Sequence, residues 1–142
     1  MNIWGRRILH IEDNKNVQFT LGGMIFEYDE QKNQINIEKH GISFKSAARV
    51  FFDYDRIEYY DEENSAFEDR YDTIGDLSAG SVNLIRKSEN MIGNIGSDDV
   101  IFVVYTERQK TTIHDEKIDI TRIISARYAT NFERGLYYGK CE

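Results

Sequence analysis

The sequence predicts an α+β domain, in which an N-terminal strand and two helices lead into a mainly antiparallel sheet closed by a C-terminal helix. Three stretches carry that expectation. "MIFEYDEQKNQINIEKHGISFKSAARVFFD" changes from strand to helical periodicity within a few residues. "VIFVVYTER" and "KIDITRIISAR" have near-continuous apolar middles, as strands at the centre of a sheet do. "TNFE" has the Ser/Thr-x-x-Glu form of a capping box.

The elements follow in order. Met24 to Tyr28 reads as a short strand, and Asp29 as the N-cap of a helix that runs to about His40 and stops at Gly41, where a left-handed residue is favoured. That helix has little apolar content, and Asn33, Asn36 and His40 share one face with Lys32 and Lys39 beside it. Ser43 caps a second helix whose Phe44, Ala47, Ala48 and Phe51 make a core stripe. "RIEYYD" and "RYDTIGDL" read as strands, followed by the two long apolar ones joined by "QKTTIHDE". Thr130 starts the closing helix, with Phe132 and Leu136 expected to face the core.

At 142 residues the chain is one domain long enough to bury a real core. Residues 24–142 are expected to form it, with a long inter-strand excursion at about 78–99 that carries no clean period. Residues 1–23 read as an extension: "RILHIE" and "NVQFTL" would pair as a β-hairpin around "DNKN", with "LGG" as a hinge. No run approaches the roughly 18 apolar residues of a membrane span, and the opening breaks into charge before a signal-peptide core forms, so a cytoplasmic location with no membrane partner is expected. Cys141 is the single cysteine and has no internal partner. Neither a metal nor a cofactor is expected.

Net charge is −7, which by itself argues against a nucleic-acid partner. The deficit is local. Between Asp53 and Asp76 there are ten acids against two arginines, whereas from Ile101 onward seven Lys or Arg meet six acids. Three arginines, Arg122, Arg127 and Arg134, fall in "RIISARYATNFERGLYYG". A strand cannot bury Arg122 and Arg127 without partners, so they reach solvent, pair with Glu107, Glu133 or the acidic segment, or line a cleft. Strict alternation puts the two on opposite faces, so a shared site would need Arg127 swung round at the strand's exit.

"YTER" ends the neighbouring strand with Glu107 and Arg108. An acid and several arginines at one part of a sheet suit RNA cleavage without metal. A base takes the 2′-hydroxyl proton, an acid protonates the leaving 5′-oxygen, and guanidinium forks hold the phosphate as charge builds. His40 and Glu107 are the proton-handling candidates. His10 and His114 read as structural, and "GNIG" at Gly93 to Gly96 has only the outline of a phosphate-gripping loop.

The order of "FEYDEQKNQINIEKHGISFKSAARVFFD", "DRYDTIG", "FVVYTER", "RIISARYAT" and "ERGLYYG" resembles the BrnT family, the toxins of bacterial type II toxin–antitoxin pairs, over about residues 24–139. The resemblance implies a RelE-like ribonuclease fold, RNA cleavage that arrests translation, and neutralisation by a cognate BrnA-like antitoxin with a DNA-binding module, so that DNA is met only through that partner. It places family positions on Lys39, His40 and Gly41, on Arg70, on Thr106, Glu107 and Arg108, on Arg122 to Arg127, and on Glu133 and Arg134. His40, Glu107, Arg108, Arg122 and Arg127 are thereby the catalytic candidates, with Lys39, Arg70 and Arg134 for RNA phosphate. Asp69 stands where many relatives have Glu, and the segment 78–99 is longer than the family's connection. The competing readings are a non-catalytic interaction domain, or an inactive homologue acting as an antitoxin-bound co-repressor.

Overall fold

The computed structural model describes residues 15–88 and 99–139. The expected first hairpin strand, His10, the Gly93–Gly96 loop and Cys141 lie outside them. A six-stranded sheet forms the frame: β1 (Asn16–Leu21), β2 (Met24–Asp29), β3 (Ile57–Tyr60), β4 (Tyr71–Asp76), β5 (Val100–Thr111) and β6 (Lys117–Tyr128), in the order β1-β2-β6-β5-β4-β3. Only the β2–β6 pair is parallel. The two most apolar strands are therefore the central ones. No described helix is long and apolar enough to cross a membrane.

Gly22 and Gly23, at φ 56° and 87°, make the two-residue turn between β1 and β2. Such a turn needs positive φ at both positions, which glycine adopts without strain. The "LGG" stretch thus contains a tight turn, and β1 is an edge strand of the six-stranded sheet.

Helix α1 (Glu30–His40) starts and stops as its sequence dictates. Asp29 accepts from the Lys32 amide at 3.0 Å, and Gly41, at φ 73°, closes the last turn by donating to Ile37 O. Asn33 and Asn36 on its polar face are buried because each serves there as a backbone partner. Asn33 accepts from the Phe44 amide at 2.8 Å. Asn36 donates to the carbonyls of Ile42 and Ala126, both at 2.9 Å, and accepts from the Ala126 amide at 3.2 Å. It thereby stands in for a strand partner along β6 beyond the short β2–β6 ladder.

Ser43 caps the short helix α2 (Phe44–Ala47), which tightens into a 3-10 segment, Ala48–Phe52. The stripe of Phe44, Ala47, Ala48 and Phe51 is buried as expected, against Phe26, Tyr28, Val103, Tyr105, Ile123 and Ala126 on one face of the sheet. The expected excursion after β4 begins with a helix of its own, α3 (Leu77–Ser88), which packs on the 3-10 segment.

The closing helix α4 (Asn131–Gly139) has the expected capping box: Glu133 accepts from the Thr130 amide at 2.9 Å, and Thr130 Oγ1 from the Glu133 amide at 3.1 Å. Its rotation differs from the expectation. Phe132 and Leu136 are 75% and 41% exposed, and Tyr137 turns inward at 6%. Polar contacts set this orientation: the Tyr137 hydroxyl donates to buried Asp53 at 2.6 Å, and Glu133, one turn earlier, is held by Arg127. Around Tyr137 a second small core gathers Ile57, Ile74, Val100 and Phe102 on the sheet face opposite the other helices.

Candidate active site

The sheet face away from α1, α2 and α3 is only partly covered by α4, and its pairing decides which charged side chains it shows. Along the β5–β6 ladder Phe102 opposes Arg127, Val104 opposes Ser125, and Thr106 opposes Arg122. Tyr105 opposes Ile123, which leaves Ile124 without a partner. This bulge, one extra residue in β6, shifts the alternation by one. Arg122 and Arg127 consequently lie on the same face, which strict alternation forbids. The turn before Thr130 is not needed to bring them there.

Arg122 and Arg108 meet on one carboxylate. Glu27, opposite Arg122 on parallel β2, is 6% exposed, and its Oε2 lies 3.0 Å from Arg122 Nη1 and 3.6 Å from Arg108 Nη1. Asn16 on β1 completes the anchor, accepting from Arg122 Nη1 at 2.6 Å and donating to Glu27 Oε1 at 3.2 Å. Arg108 Nη2 extends outward to Glu68, at 3.0 Å from Oε1, and the same Glu68 has Oε2 4.0 Å from Arg70. The acidic stretch between β3 and β4 is therefore folded against this face. The Thr106 hydroxyl ties it down by donating to Asp69 O at 2.7 Å.

Further along the same face, Arg127 makes a two-pronged contact with Glu133, at 2.8 and 2.9 Å, with its guanidinium 4.2 Å above the Phe102 ring. The Glu133 hydrogen bond is the main reason the Arg127 pKa is raised, and the reciprocal bond holds Glu133 below its usual value. Beside them is Asp72, 6% exposed, with one oxygen that meets no N–H or O–H donor. Burial first, then the adjacent Asp61 carboxyl, push Asp72 up to about 7. Burial also pushes on Asp61, but hydrogen bonds from Asn64 and from Asp72 bring it net below the ordinary range. Below about pH 7 the pair therefore carries one proton, on Asp72.

That proton has a measurable consequence. A carboxyl with a raised pKa binds its proton more tightly folded than unfolded, so its contribution is full below about pH 3.9 and is lost as pH rises through about 7. Asp72→Asn, which keeps a donor toward Asp61 but cannot ionise, is expected to melt above the wild type at pH 8, with the gap narrowing at pH 5. Melting curves at the two pH values check this, and an equal gap at both would contradict it.

Of the residues singled out from sequence, Arg70, Arg108 and Arg122 form a row linked through Glu27 and Glu68, with Arg127 farther along the same face. Glu107 does not join them. It sits between Thr106 and Arg108 on β5, so it points to the opposite face, with Tyr105. Grouping it with the arginines is corrected by this alternation. Lys39 and His40 are exposed on the last turn of α1, and among the described residues neither makes a hydrogen bond or ion pair with the arginine row. Arg134 lies on α4, with its guanidinium 5.7 Å from the Tyr138 ring centre. Glu27, Asp61 and Asp72 were missed. Their signal was present: Glu27 interrupts the apolar run "MIFEYD", and Asp72 occupies a strand position that alternation makes equivalent to Ile74.

A six-stranded, mostly antiparallel sheet flanked by helices, with an arginine row and carboxylate anchors on its less covered face, is an α+β fold. The family described as "ribonuclease toxin, BrnT, of type II toxin-antitoxin system" has a model that matches residues 28–90 of the chain. The match takes in α1 to α3 with β3 and β4, and hence Lys39, His40, Arg70 and the Asp61–Asp72 pair. Arg108, Arg122, Arg127 and Arg134 lie C-terminal to it. No curated protein sequence matches the chain significantly.

Proposed function

We propose that this chain is an endoribonuclease toxin that cleaves RNA without a metal ion and thereby arrests translation, with the Arg70–Arg108–Arg122 row holding the scissile phosphate. The observation that carries this reading is the convergence of Arg108 and Arg122 on buried Glu27. Removing one partner from a buried ion pair costs about 3–5 kcal/mol, so Glu27 holds the largely buried Arg122 firmly, while Arg108, 43% exposed, is held more weakly. Glu68 is half-exposed, and an exposed pair is worth only about 0–1 kcal/mol. A phosphate oxygen can displace Glu68 from Arg108 at little cost and find two guanidinium groups already oriented.

In the reaction the 2′-oxygen attacks phosphorus, its proton passes to a base, and the 5′-oxygen leaves with a proton. The arginines stabilise the charge that accumulates on the phosphoryl oxygens between these events. On this face the Asp61–Asp72 pair is the group poised to exchange a proton near neutral pH, and we assign it the proton transfer, which adds typically about 10²–10⁴-fold. Glu107 and His40, outside the row, have no part in that step. The protein partner is a BrnA-like antitoxin whose DNA-binding module is the chain's only route to DNA.

Adding the purified chain to a cell-free translation reaction is expected to stop protein synthesis, and the Arg108→Ala chain to leave it running. Equal arrest by both would contradict the assignment. A second reading is supported by the fact that Arg108, Arg122 and Arg127 already have carboxylate partners. In that reading the row is a structural network in an inactive, antitoxin-bound homologue, and neither chain stops translation.

A further inference from the structure

On the opposite face of the sheet three tyrosines line up across three strands, with Tyr60 exposed and Tyr105 a buried floor whose ring packs on Phe51 of the 3-10 segment at 4.9 Å. Tyr60, Tyr71 and Tyr105 are consecutive partners in the β3–β4–β5 ladders. Their rings stand 5.8 Å apart for Tyr60 and Tyr71 and 5.7 Å apart for Tyr71 and Tyr105. With Glu58 and Glu107 they line an open cavity of about 420 Å³. Glu107 also borders the neighbouring hollow, together with Met24, Ile25, Lys117, Ile118 and Asp119.

The two carboxylates differ in how they are balanced. Glu58 has Arg56 at 2.6 Å. Glu107 has no ion-pair partner among the described residues. Burial first, then the negative charges of Glu58 and Asp119, hold its carboxyl above the usual range. The cavity thus combines aromatic faces with an acid whose charge is uncompensated. A phosphate-bearing ligand meets repulsion there, and the arginine row lies on the other side of the sheet. A guanidinium fits on both counts, because its plane stacks on aromatic rings while its fork binds a carboxylate.

We propose that the Tyr60–Tyr71–Tyr105 cup, closed by Glu107, receives an arginine side chain from a protein partner. The proposal rests on the toxin–antitoxin reading only for the supply of that partner. The site itself stands on the rings, the cavity and the uncompensated acid. The occupied cup has the guanidinium over the Tyr60 and Tyr71 rings, above the buried Tyr105, and bonded to Glu107, with the partner's main chain crossing the hollow beside Lys117 and Asp119.

The test needs neither RNA nor antitoxin, so its failure is distinguishable from failure of the ribonuclease reading. The intact chain is titrated with acetylated, amidated Gly-Arg-Gly, and separately with the norleucine analogue and with adenosine monophosphate, while the amide and tyrosine resonances are followed by NMR. The arginine peptide is expected to shift the signals of Tyr60, Tyr71 and Glu107 saturably, with a dissociation constant on the order of 1 mM. Glu107→Gln, at an exposed position, should weaken binding by about tenfold, the effect of losing a charge-assisted hydrogen bond. Tyr60→Leu should weaken it independently. Equal binding of the norleucine peptide, displacement by the nucleotide, unchanged affinity in Glu107→Gln, or no saturable shift would each overturn the proposal.

Discussion

Replacing Arg122 with alanine is expected to slow RNA cleavage by about 10²–10³-fold, the loss seen when one preorganised donor to a developing anion is removed. The argument is geometric. Arg122 is fixed through Nη1 by Asn16 at 2.6 Å and Glu27 at 3.0 Å, so its guanidinium is held in place before substrate arrives. Arg122→Lys retains the charge but not the two-pronged geometry, and should recover only part of the rate. Because the substitution also strips Glu27 of a partner, the variant's melting temperature must be measured beside its rate. A folded Arg122→Ala chain that cleaves at the wild-type rate would show that the row is structural.

The largest expected loss of stability comes from Asn36→Ala, at about 3 kcal/mol. One side-chain amide satisfies the Ala126 amide, the Ala126 carbonyl and the Ile42 carbonyl, all in the interior. Alanine leaves these groups unpaired, and each buried unsatisfied group costs about 1–3 kcal/mol, moderated by relaxation or an entering water. Denaturant unfolding checks the value, and a change below about 0.5 kcal/mol, the level of an ordinary surface substitution, would contradict the bridging role. Asn36→Asp is also expected to destabilise, because it removes the two donated bonds and buries charge.

The parts of the fold legible in the sequence were those fixed by a few neighbouring residues. Asp29, Gly41, Ser43 and the Thr130–Glu133 box each act within one helical turn, and each is found as expected. The apolar middles of β5 and β6 placed both strands at the sheet's centre for a similarly local reason. Features that depend on two distant segments were hidden. The β6 bulge at Ile124 exists only relative to β5, yet it decides that Arg122 and Arg127 share a face. Asn36 was visible as part of a polar helix face, but its role requires a backbone group ninety residues away.

The site was legible in the same uneven way. Pairing of Arg127 with Glu133 was one of the open readings, and it is a contact six residues apart. Glu27 reaches Arg122 across ninety-five, and nothing local signals that partner beyond an acid in an apolar strand. The inward turn of Tyr137 overrode the apolar spacing of Phe132 and Leu136 because its hydroxyl meets buried Asp53. Helix periodicity reports which residues are apolar, and here two polar contacts chose the face.

The central claim is that this face cleaves RNA with protein groups alone. The most direct test incubates the purified chain with single-stranded RNA in excess EDTA, with the Arg108→Ala, Arg122→Ala double variant alongside. The account predicts cleavage products ending in 2′,3′-cyclic phosphate from the wild type and at least a 10²-fold lower rate from the double variant. An RNA left intact by the wild type in EDTA but cut when a divalent ion is restored would contradict it, as would equal cleavage by both chains.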